Sequence, residues 1–193
     1  MSPFLTKASR LILKTAGWTL VGELPVEKKF MCLAAPHTSM WDGFWMVLAA
    51  FSLGFRPDFL VKSTYVDGIF GPLILWAGGI PVLAGAGANK VDEVVEMVNQ
   101  RDCVGLLLAP AGTRGKRDGW RSGFYHIAKE ANLPIYFAFL DFGTRSMGVS
   151  DKPIILSENI KTDMDQIREF FTGMLGKYPE KTTRMTIREE EEN

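Results

Sequence analysis

A histidine and an aspartate, five positions apart, stand where a buried strand gives way to a helix. The apolar run 30–35 has the length of a strand, and the apolar run 43–55 is long enough for a helix. His37 is therefore expected just past the carboxyl end of a strand, where open α/β sheets place their ligand sites. With Asp42 in the first helical turn, its carboxylate can orient the imidazole and leave the other ring nitrogen as a general base.

The same aspartate also fits a structural role. Ser39 to Asp42 has the pattern of a capping box, in which the carboxylate serves only the helix N-terminus. The stretch alone leaves a catalytic pair and a helix cap as open alternatives. The other histidine, His126, has no partner in the sequence and is expected to be structural.

A basic, glycine-containing turn is the second candidate site. It follows an apolar strand predicted from 103 to 109 and contains Gly112, Thr113 and Arg114, with two further cations close behind. Glycine lets backbone amides approach an anion, and the arginine fork matches phosphate geometry. A solvated basic turn is the alternative interpretation.

The elements that position these residues alternate between strand and helix patterns from 30 to 140. Such alternation predicts one α/β domain, with a mostly parallel central sheet flanked by helices. Predicted strands are 18–23 (an edge strand), 30–35, 58–62, 80–83, 103–109 and 133–140, with closing segments at 147–149 and 154–156. Predicted helices are 43–55, 69–77, 90–100, 121–131 and 163–175. The strand 103–109 is apolar throughout, which predicts burial on both faces.

The two ends of the chain differ in character. Residues 1–16 have the pattern of an amphipathic helix, with three basic residues opposite its apolar side. Such a helix can lie on an anionic membrane surface or pack its apolar side on the domain, and both readings stay open. The domain itself is expected to span 17–178, and residues 179–193 to form an acidic, solvated tail.

Composition excludes several classes of protein. The 193 residues carry 22 basic and 22 acidic side chains, which argues against nucleic-acid binding. Cys32 and Cys103 are expected to be reduced packing residues of a cytosolic protein, and no secretory leader opens the chain. The residue types predict no metal site. The stretch 68–89 is uncharged and long enough to cross a membrane, but its six glycines and two prolines favour buried globular core.

Four blocks together resemble the glycerolipid acyltransferase family, whose best-known members are lysophosphatidic acid acyltransferases. His37-Thr-Ser-Met-Trp-Asp42 matches the family's His-x4-Asp motif. The other blocks are Gly78-Gly-Ile-Pro-Val82, Pro110-Ala-Gly-Thr-Arg114 and Leu133-Pro134-Ile135. They follow the family's order and spacing between about residue 17 and 142, which is far more specific than any single block.

The resemblance implies transfer of a fatty acyl group from acyl-CoA or acyl carrier protein to a hydroxyl of a lysophospholipid or related lipid precursor. No further cofactor is implied. The protein would be cytoplasmic and bound peripherally to the inner face of the cell membrane. His37 would act as the general base oriented by Asp42, and backbone amides near Gly112 and Thr113 would stabilise the oxyanion. The expected substrate-binding residues are Lys62, Ala111, Gly112, Thr113, Arg114 and Arg121.

Two positions depart from the family pattern. The third block usually has glutamate where this chain has Ala111, and the second block usually ends in a phosphate-binding arginine, whereas here no cation follows Val82 until Lys90. Candidate replacement cations are Lys62, Lys116 and Arg121. The chain is therefore an acyltransferase with an altered acceptor, a catalytically weakened lipid- or acyl-CoA-binding protein, or an acyl thioesterase that uses water.

Overall fold

The computed structural model of the chain describes residues 1–82 and 88–191 and contains a seven-stranded sheet. The strands are β1 (Thr19–Val21), β2 (Lys29–Ala35), β3 (Asp58–Lys62), β4 (Gly79–Val82), β5 (Val104–Leu108), β6 (Ile135–Asp141) and β7 (Ser146–Val149). The helices are α1 (Pro3–Thr15), α2 (Met40–Leu53), α3 (Ser63–Val66), α4 (Gly71–Trp76), α5 (Ala88–Gln100), α6 (Gly123–Glu130), α7 (Ile160–Phe171) and α8 (Arg188–Glu191), with a 3-10 turn at Pro179–Lys181.

The strand order is β1-β7-β6-β2-β5-β3-β4. Five neighbouring strands, from β6 to β4, run parallel to one another. Only β7 pairs with its neighbour β6 in the antiparallel sense, and β1 completes that edge by pairing parallel with β7. The predicted α/β fold with a mostly parallel sheet is confirmed, as is the edge position of the first strand.

The core divides into two layers, one on each face of the sheet. Alternate residues of β2 point to opposite faces, so Met31 and Leu33 pack with α5, α6 and α7, while Phe30 and Cys32 pack with α1 and α2. The strands β2 and β6 are buried almost throughout. β5 is only partly buried, so the prediction that it is the fully buried strand is wrong.

Two further expectations from the sequence are wrong: the packing role of Cys103, and the burial of the first half of the stretch 68–89, where Ile69, Phe70 and Leu73 are exposed. Cys103 is exposed because it precedes β5 and lies outside the strand. The described part of the uncharged stretch 68–89 forms α4 and then β4 of the sheet, while residues 83–87 lie outside the described part. Across the described residues, no helix is both long and apolar enough to cross a membrane.

The acidic C-terminus packs on the domain over its described part, so the prediction of a solvated tail is wrong there. Ile187 is an apolar anchor with an exposure of 1%. The acidic residues after it also have partners, since Glu190 lies 2.6 Å from the guanidinium of Arg168 on α7 and Glu189 lies 3.1 Å from the imidazole of His126 on α6. Burial of one isoleucine, one ion pair to an arginine and one contact to an imidazole hold the segment in place.

The N-terminal helix α1 has three faces. Ser9 and Leu13 are buried and form its inner face, with α2 as the neighbouring helix. The basic residues occupy a second face. The third face is apolar and open to solvent, with Phe4, Leu11 and Ile12 exposed to 80%, 62% and 45%. Most of the apolar side therefore does not pack on the domain.

Candidate active site

Three loops meet at one edge of the sheet because the strands that deliver them are parallel neighbours. β2 ends at the histidine loop (residues 36–39), β5 ends at the basic turn (residues 109–117), and β3 ends at Lys62. Cys32 and Leu33 of β2 pair with Leu107 and Leu108 of β5, so the two loops leave the sheet side by side. The topology thus brings together residues that are about 75 positions apart in the sequence.

The aspartate of the His-x4-Asp motif is both a helix cap and the partner of the histidine. Ser39 is the N-cap of α2, and the buried Asp42 side chain, with 2% exposure, lies in its first turn. The Oδ2 atom of Asp42 accepts hydrogen bonds from the backbone N–H groups of Thr38 at 2.6 Å and Ser39 at 2.7 Å. The same oxygen lies 3.3 Å from Nδ1 of His37. The carboxylate therefore caps the helix and, with the same oxygen, lies within pairing distance of the histidine.

This arrangement orients the imidazole. A carboxylate beside Nδ1 favours the tautomer with its proton on that nitrogen, which leaves Nε2 with a lone pair. Nε2 of His37 has no hydrogen-bond partner among the described residues, and 25% of the side chain is exposed. The ring is therefore oriented on one side and accessible on the other, as a general base requires.

The basic turn is held by its own backbone hydrogen bonds. Gly112 has φ +62°, a left-handed conformation that glycine adopts without strain, and its N–H donates to the carbonyl of Ala109 at 3.0 Å. The amide of Gly112 is therefore already engaged. The N–H of Thr113 has no backbone or side-chain acceptor among the described residues. Of the two amides expected to serve an oxyanion, only the second is available.

Two predicted substrate-binding residues flank the basic turn in different ways: Arg121 supports it, and Ala111 lines a cavity shared with the histidine. Arg121 donates its backbone N–H to the carbonyl of Pro110 at 2.9 Å, and its side chain covers Gly112, where an added Cβ would lie 3.1 Å from the arginine Cδ. Ala111 is buried and lines a narrow cavity together with His37 and Trp120. The position that carries glutamate in the family pattern is thus next to the histidine.

Two cations lie around Tyr65, which the sequence reasoning did not identify. The guanidinium of Arg114 donates to the Tyr65 hydroxyl at 3.1 Å and also contacts the sulfur of Met40. The hydrogen bond from Arg114 and the arginine charge lower the pKa of Tyr65, and the charge of Lys62 adds to this effect against the opposing contribution of burial. The open side of the site is therefore electropositive. The third candidate cation, Lys116, forms no hydrogen bond or ion pair with a described residue.

A segment far along the chain closes the other side of the site. This C-terminal strap, residues 172–187, donates the N–H of Tyr178 to the Thr38 hydroxyl at 3.2 Å. The strap also accepts a hydrogen bond from a residue just after the basic turn, because the N–H of Trp120 donates to the carbonyl of Thr186 at 2.8 Å. The strap bridges the loops that carry His37 and Arg114. No sequence signal indicates these contacts, because the partners are up to 140 residues apart.

The remaining motifs lie at a distance or outside the described residues. His126 is on α6 and contacts Glu189, so it belongs to the packing of the C-terminus and has a partner that the sequence did not indicate. Gly78–Val82 passes from the end of α4 into the edge strand β4. The positions after Val82, where the family pattern has its arginine, lie partly outside the described residues.

The fold is similar to that of a characterised lipid enzyme. The crystal structure of the 1-acyl-sn-glycerophosphate (LPA) acyltransferase PlsC from Thermotoga maritima superimposes with a TM-score of 0.59 and 14% sequence identity, covering 86% of this chain and 74% of that protein. At this identity the similarity concerns the fold. No protein-family model matches the chain.

One short sequence match comes from a different enzyme. A 4-hydroxy-tetrahydrodipicolinate synthase from Pseudomonas savastanoi is 37% identical over 62 residues, which are 30% of this chain and 21% of that enzyme. The chain therefore covers about a fifth of the length of this relative. A match of that extent does not define a family.

Proposed function

We propose that the protein is an acyltransferase that moves a fatty acyl group from a thioester donor to a hydroxyl acceptor. The observation that carries this proposal is the pair at the end of β2. A buried carboxylate lies 3.3 Å from Nδ1 of His37 and leaves Nε2 accessible. The proposal is also supported by the similarity of the fold to that of an LPA acyltransferase and by the four sequence blocks.

In the proposed reaction, Nε2 of His37 takes the proton of the acceptor hydroxyl as its oxygen attacks the thioester carbonyl. Asp42 stabilises the imidazolium that forms. The N–H of Thr113 is the proposed donor to the developing oxyanion. The C–S bond then breaks, and the thiolate leaves readily because the pKa of a thiol is only about 8.5. The imidazolium gives its proton to the departing thiolate, which restores neutral His37 and releases a free thiol, and no covalent acyl-enzyme is formed.

The proposed donor is acyl-CoA or acyl carrier protein, and the proposed acceptor is a lysophospholipid or a related lipid precursor. Both carry phosphate groups, which suits the electropositive side of the site around Arg114 and Lys62. The chemistry needs no metal or further cofactor. Besides Arg114 and Lys62, the proposed contacts to substrate come from Ala111, Gly112, Thr113 and Arg121.

We further propose that α1 holds the protein on the cytoplasmic side of the cell membrane as a peripheral protein. Its exposed apolar face carries Phe4, Leu11 and Ile12 beside the basic face with Lys7 and Lys14. An amphipathic helix of this kind lies in the interface of an anionic bilayer. The acceptor lipid would then be delivered from the same surface.

Ala111 supports a second candidate function, a lipid- or acyl-CoA-binding protein without turnover. Its methyl group lines the cavity beside His37 where the family pattern has a glutamate. A site without that carboxylate has lost one group for holding the acceptor. Such a protein would bind the substrates and transfer nothing.

The test is release of thiol from a long-chain acyl-CoA, with and without a panel of lysophospholipids, glycerol phosphate and other hydroxyl compounds. Acceptor-stimulated release, with the acylated product found by mass spectrometry, supports the acyltransferase. Hydrolysis that no acceptor diverts identifies a thioesterase instead. Binding without release, restored to turnover by Ala111→Glu, identifies the binding protein.

A further inference from the structure

Large apolar side chains that are open to solvent surround the mouth of the candidate site. Isolated apolar residues are ordinary on a protein surface, whereas a contiguous apolar patch marks a contact surface. Six such residues lie at the start of α2 and on the α3–α4 segment, and we call them the apolar rim. Their exposed fractions range from 39% to 90%, and they are Met40, Trp41, Phe44, Tyr65, Ile69 and Phe70.

Direct contacts join the parts of the apolar rim to one another and to the site. The rings of Trp41 and Phe44 lie edge to face, with their centroids 6.0 Å apart. The guanidinium of Arg114 contacts the sulfur of Met40 and donates to the Tyr65 hydroxyl at 3.1 Å. The start of α2 and the helix α3 therefore meet at a residue of the basic turn.

The remaining two rim residues form the tip of the α3–α4 segment. Ile69 and Phe70 are the central residues of a turn that is closed by a hydrogen bond of 2.8 Å from the N–H of Gly71 to the carbonyl of Gly68. Glycine, proline and small polar residues usually occupy such positions, whereas here the two side chains are 90% and 68% exposed. An added Cβ on Gly71 would meet the backbone of Val66, so the turn packs closely on α3.

The surroundings of the apolar rim are electropositive. Nζ of Lys177 in the C-terminal strap lies 5.6 Å from the ring centroid of Trp41, so a cation lies directly over the rim. The segments that form or contact the rim from outside α2 are 62–73, 114–117 and 175–181. They hold two carboxylates, Asp67 and Glu180, against six cations, which are Lys62, Arg114, Lys116, Arg117, Lys177 and Lys181. Apolar side chains bordered by cations suit the interface of an anionic bilayer.

We propose that the apolar rim is a second membrane-contact surface, which docks the mouth of the site against an anionic bilayer. The inference rests on the membrane attachment proposed above and adds a contact distinct from α1. Arg10 of α1 donates to the carbonyl of Ser52 at 2.8 Å, a point roughly 16 Å along α2 from Trp41. An acidic carrier protein would account for the cations of the rim alone, whereas an anionic bilayer accounts for both the cations and the apolar turn.

The test measures binding to vesicles of equal parts phosphatidylglycerol and phosphatidylcholine by co-sedimentation. The rim variant combines Ile69→Ser with Phe70→Ser. The matched control combines Val26→Ser with Ile155→Ser, whose native side chains are 91% and 65% exposed. Val26 precedes β2, and Ile155 follows a residue that pairs with the start of β6, so both lie at the opposite edge of the sheet from the site. Thermal melts of both variants establish that the fold is retained.

Loss of two apolar side chains from the contact predicts that the rim variant binds the vesicles at least about tenfold more weakly. The control should stay within about twofold of the native protein. Fluorescence gives a second measurement, because vesicles with brominated acyl chains should quench Trp41. The variant Trp41→Phe should therefore lose a measurable part of the quenching that the native protein shows.

The inference is overturned if the rim variant binds like the native protein, or if it and the control lose affinity equally. Unchanged quenching in Trp41→Phe overturns it as well, and so does a rim variant that loses binding to acyl carrier protein but not to vesicles. Because vesicle binding is measured without turnover, a protein that shows the rim effect but transfers no acyl group refutes only the proposed reaction. Acyl transfer without the rim effect refutes only the inference.

Discussion

Substitution of Asp42 separates the two roles that its carboxylate combines. Asp42→Ala removes the acceptor of two buried backbone N–H groups, from Thr38 at 2.6 Å and Ser39 at 2.7 Å. Hydrogen bonds to charged groups contribute about 1.5–3 kcal/mol each, so the expected loss is roughly 3–6 kcal/mol. Domains are stable by only about 5–15 kcal/mol, and this variant should be close to unfolding.

Asp42→Asn keeps a neutral acceptor for both N–H groups. Its amide nitrogen takes the place of Oδ1, which is buried and has no partner among the described residues. Two neutral hydrogen bonds in place of two charge-assisted ones give an expected loss of about 2–3 kcal/mol. For a domain of this size, that lowers the melting temperature by roughly 4–12 °C.

The activity of the folded Asn variant tests the orienting role. The amide oxygen can still accept from Nδ1–H of His37, but without the negative charge the imidazolium formed during the reaction loses its stabilisation. The expected loss of turnover is at least about 10²-fold, within the range for general base catalysis. The assay is acceptor-dependent thiol release, well below the melting temperature, with the folded fraction followed by circular dichroism.

Ser39→Ala is the matched control at the same helix end. The Ser39 hydroxyl accepts the N–H of Trp41 at 3.2 Å as part of the capping box of α2, and its loss should cost about 1 kcal/mol with turnover nearly unchanged. Full activity of folded Asp42→Asn would refute the orienting role and leave Asp42 as a cap. A loss of turnover in Ser39→Ala as large as in Asp42→Asn would make the effect structural.

Three further perturbations test the strap, the acid stability and the membrane face. In Gly176→Ala the new methyl group would lie 2.7 Å from the Thr38 side chain. The free energy of unfolding should therefore fall by about 1–3 kcal/mol, and turnover should fall with it. An unchanged melting curve would contradict the close packing. Burial would raise the pKa of Asp141, but hydrogen bonds from Thr144 and from backbone N–H groups, including that of Leu175 in the strap, lower it below its usual value. Because the pKa of Asp141 is depressed in the folded protein, its carboxylate stabilises the fold above about pH 4, and this contribution is lost as the pH falls. Urea titrations between pH 7 and 3 should therefore show a smaller decrease in the free energy of unfolding for Asp141→Asn than for the native protein. Replacing Leu11 and Ile12 by serine should change stability by less than about 0.5 kcal/mol each but weaken co-sedimentation with anionic vesicles at least about tenfold, and unaltered vesicle binding would exclude α1 as the anchor.

The parts of the site that depend on local sequence could be predicted. The alternation of strand and helix patterns predicted the order of β2, α2 and β3. His37 and Asp42 lie within six residues of each other, so local turn and helix-cap geometry alone determines whether the two side chains can meet. The sequence could not decide between cap and catalytic partner. A single oxygen of Asp42 accepts from the helix end and also lies 3.3 Å from Nδ1 of His37, and no pattern of residue types encodes that sharing.

The parts that depend on distant contacts could not be predicted. Tyr178 reaches Thr38 across 140 positions, and Lys177 is placed over Trp41 only through that crossing. The acidic end was expected to be solvated because its charge pattern is typical of a tail. One buried residue, Ile187, an arginine on α7 and a histidine on α6 reversed this expectation.

The most direct test of the central claim is the rate of acyl transfer by His37→Ala relative to the native protein. The substitution removes a partly exposed side chain that makes one pairing contact, so the fold should be retained. The account predicts a loss of at least about 10²-fold in acceptor-dependent turnover, with binding of acyl-CoA preserved. Turnover that persists in a folded His37→Ala protein would contradict the assignment of this histidine as the general base.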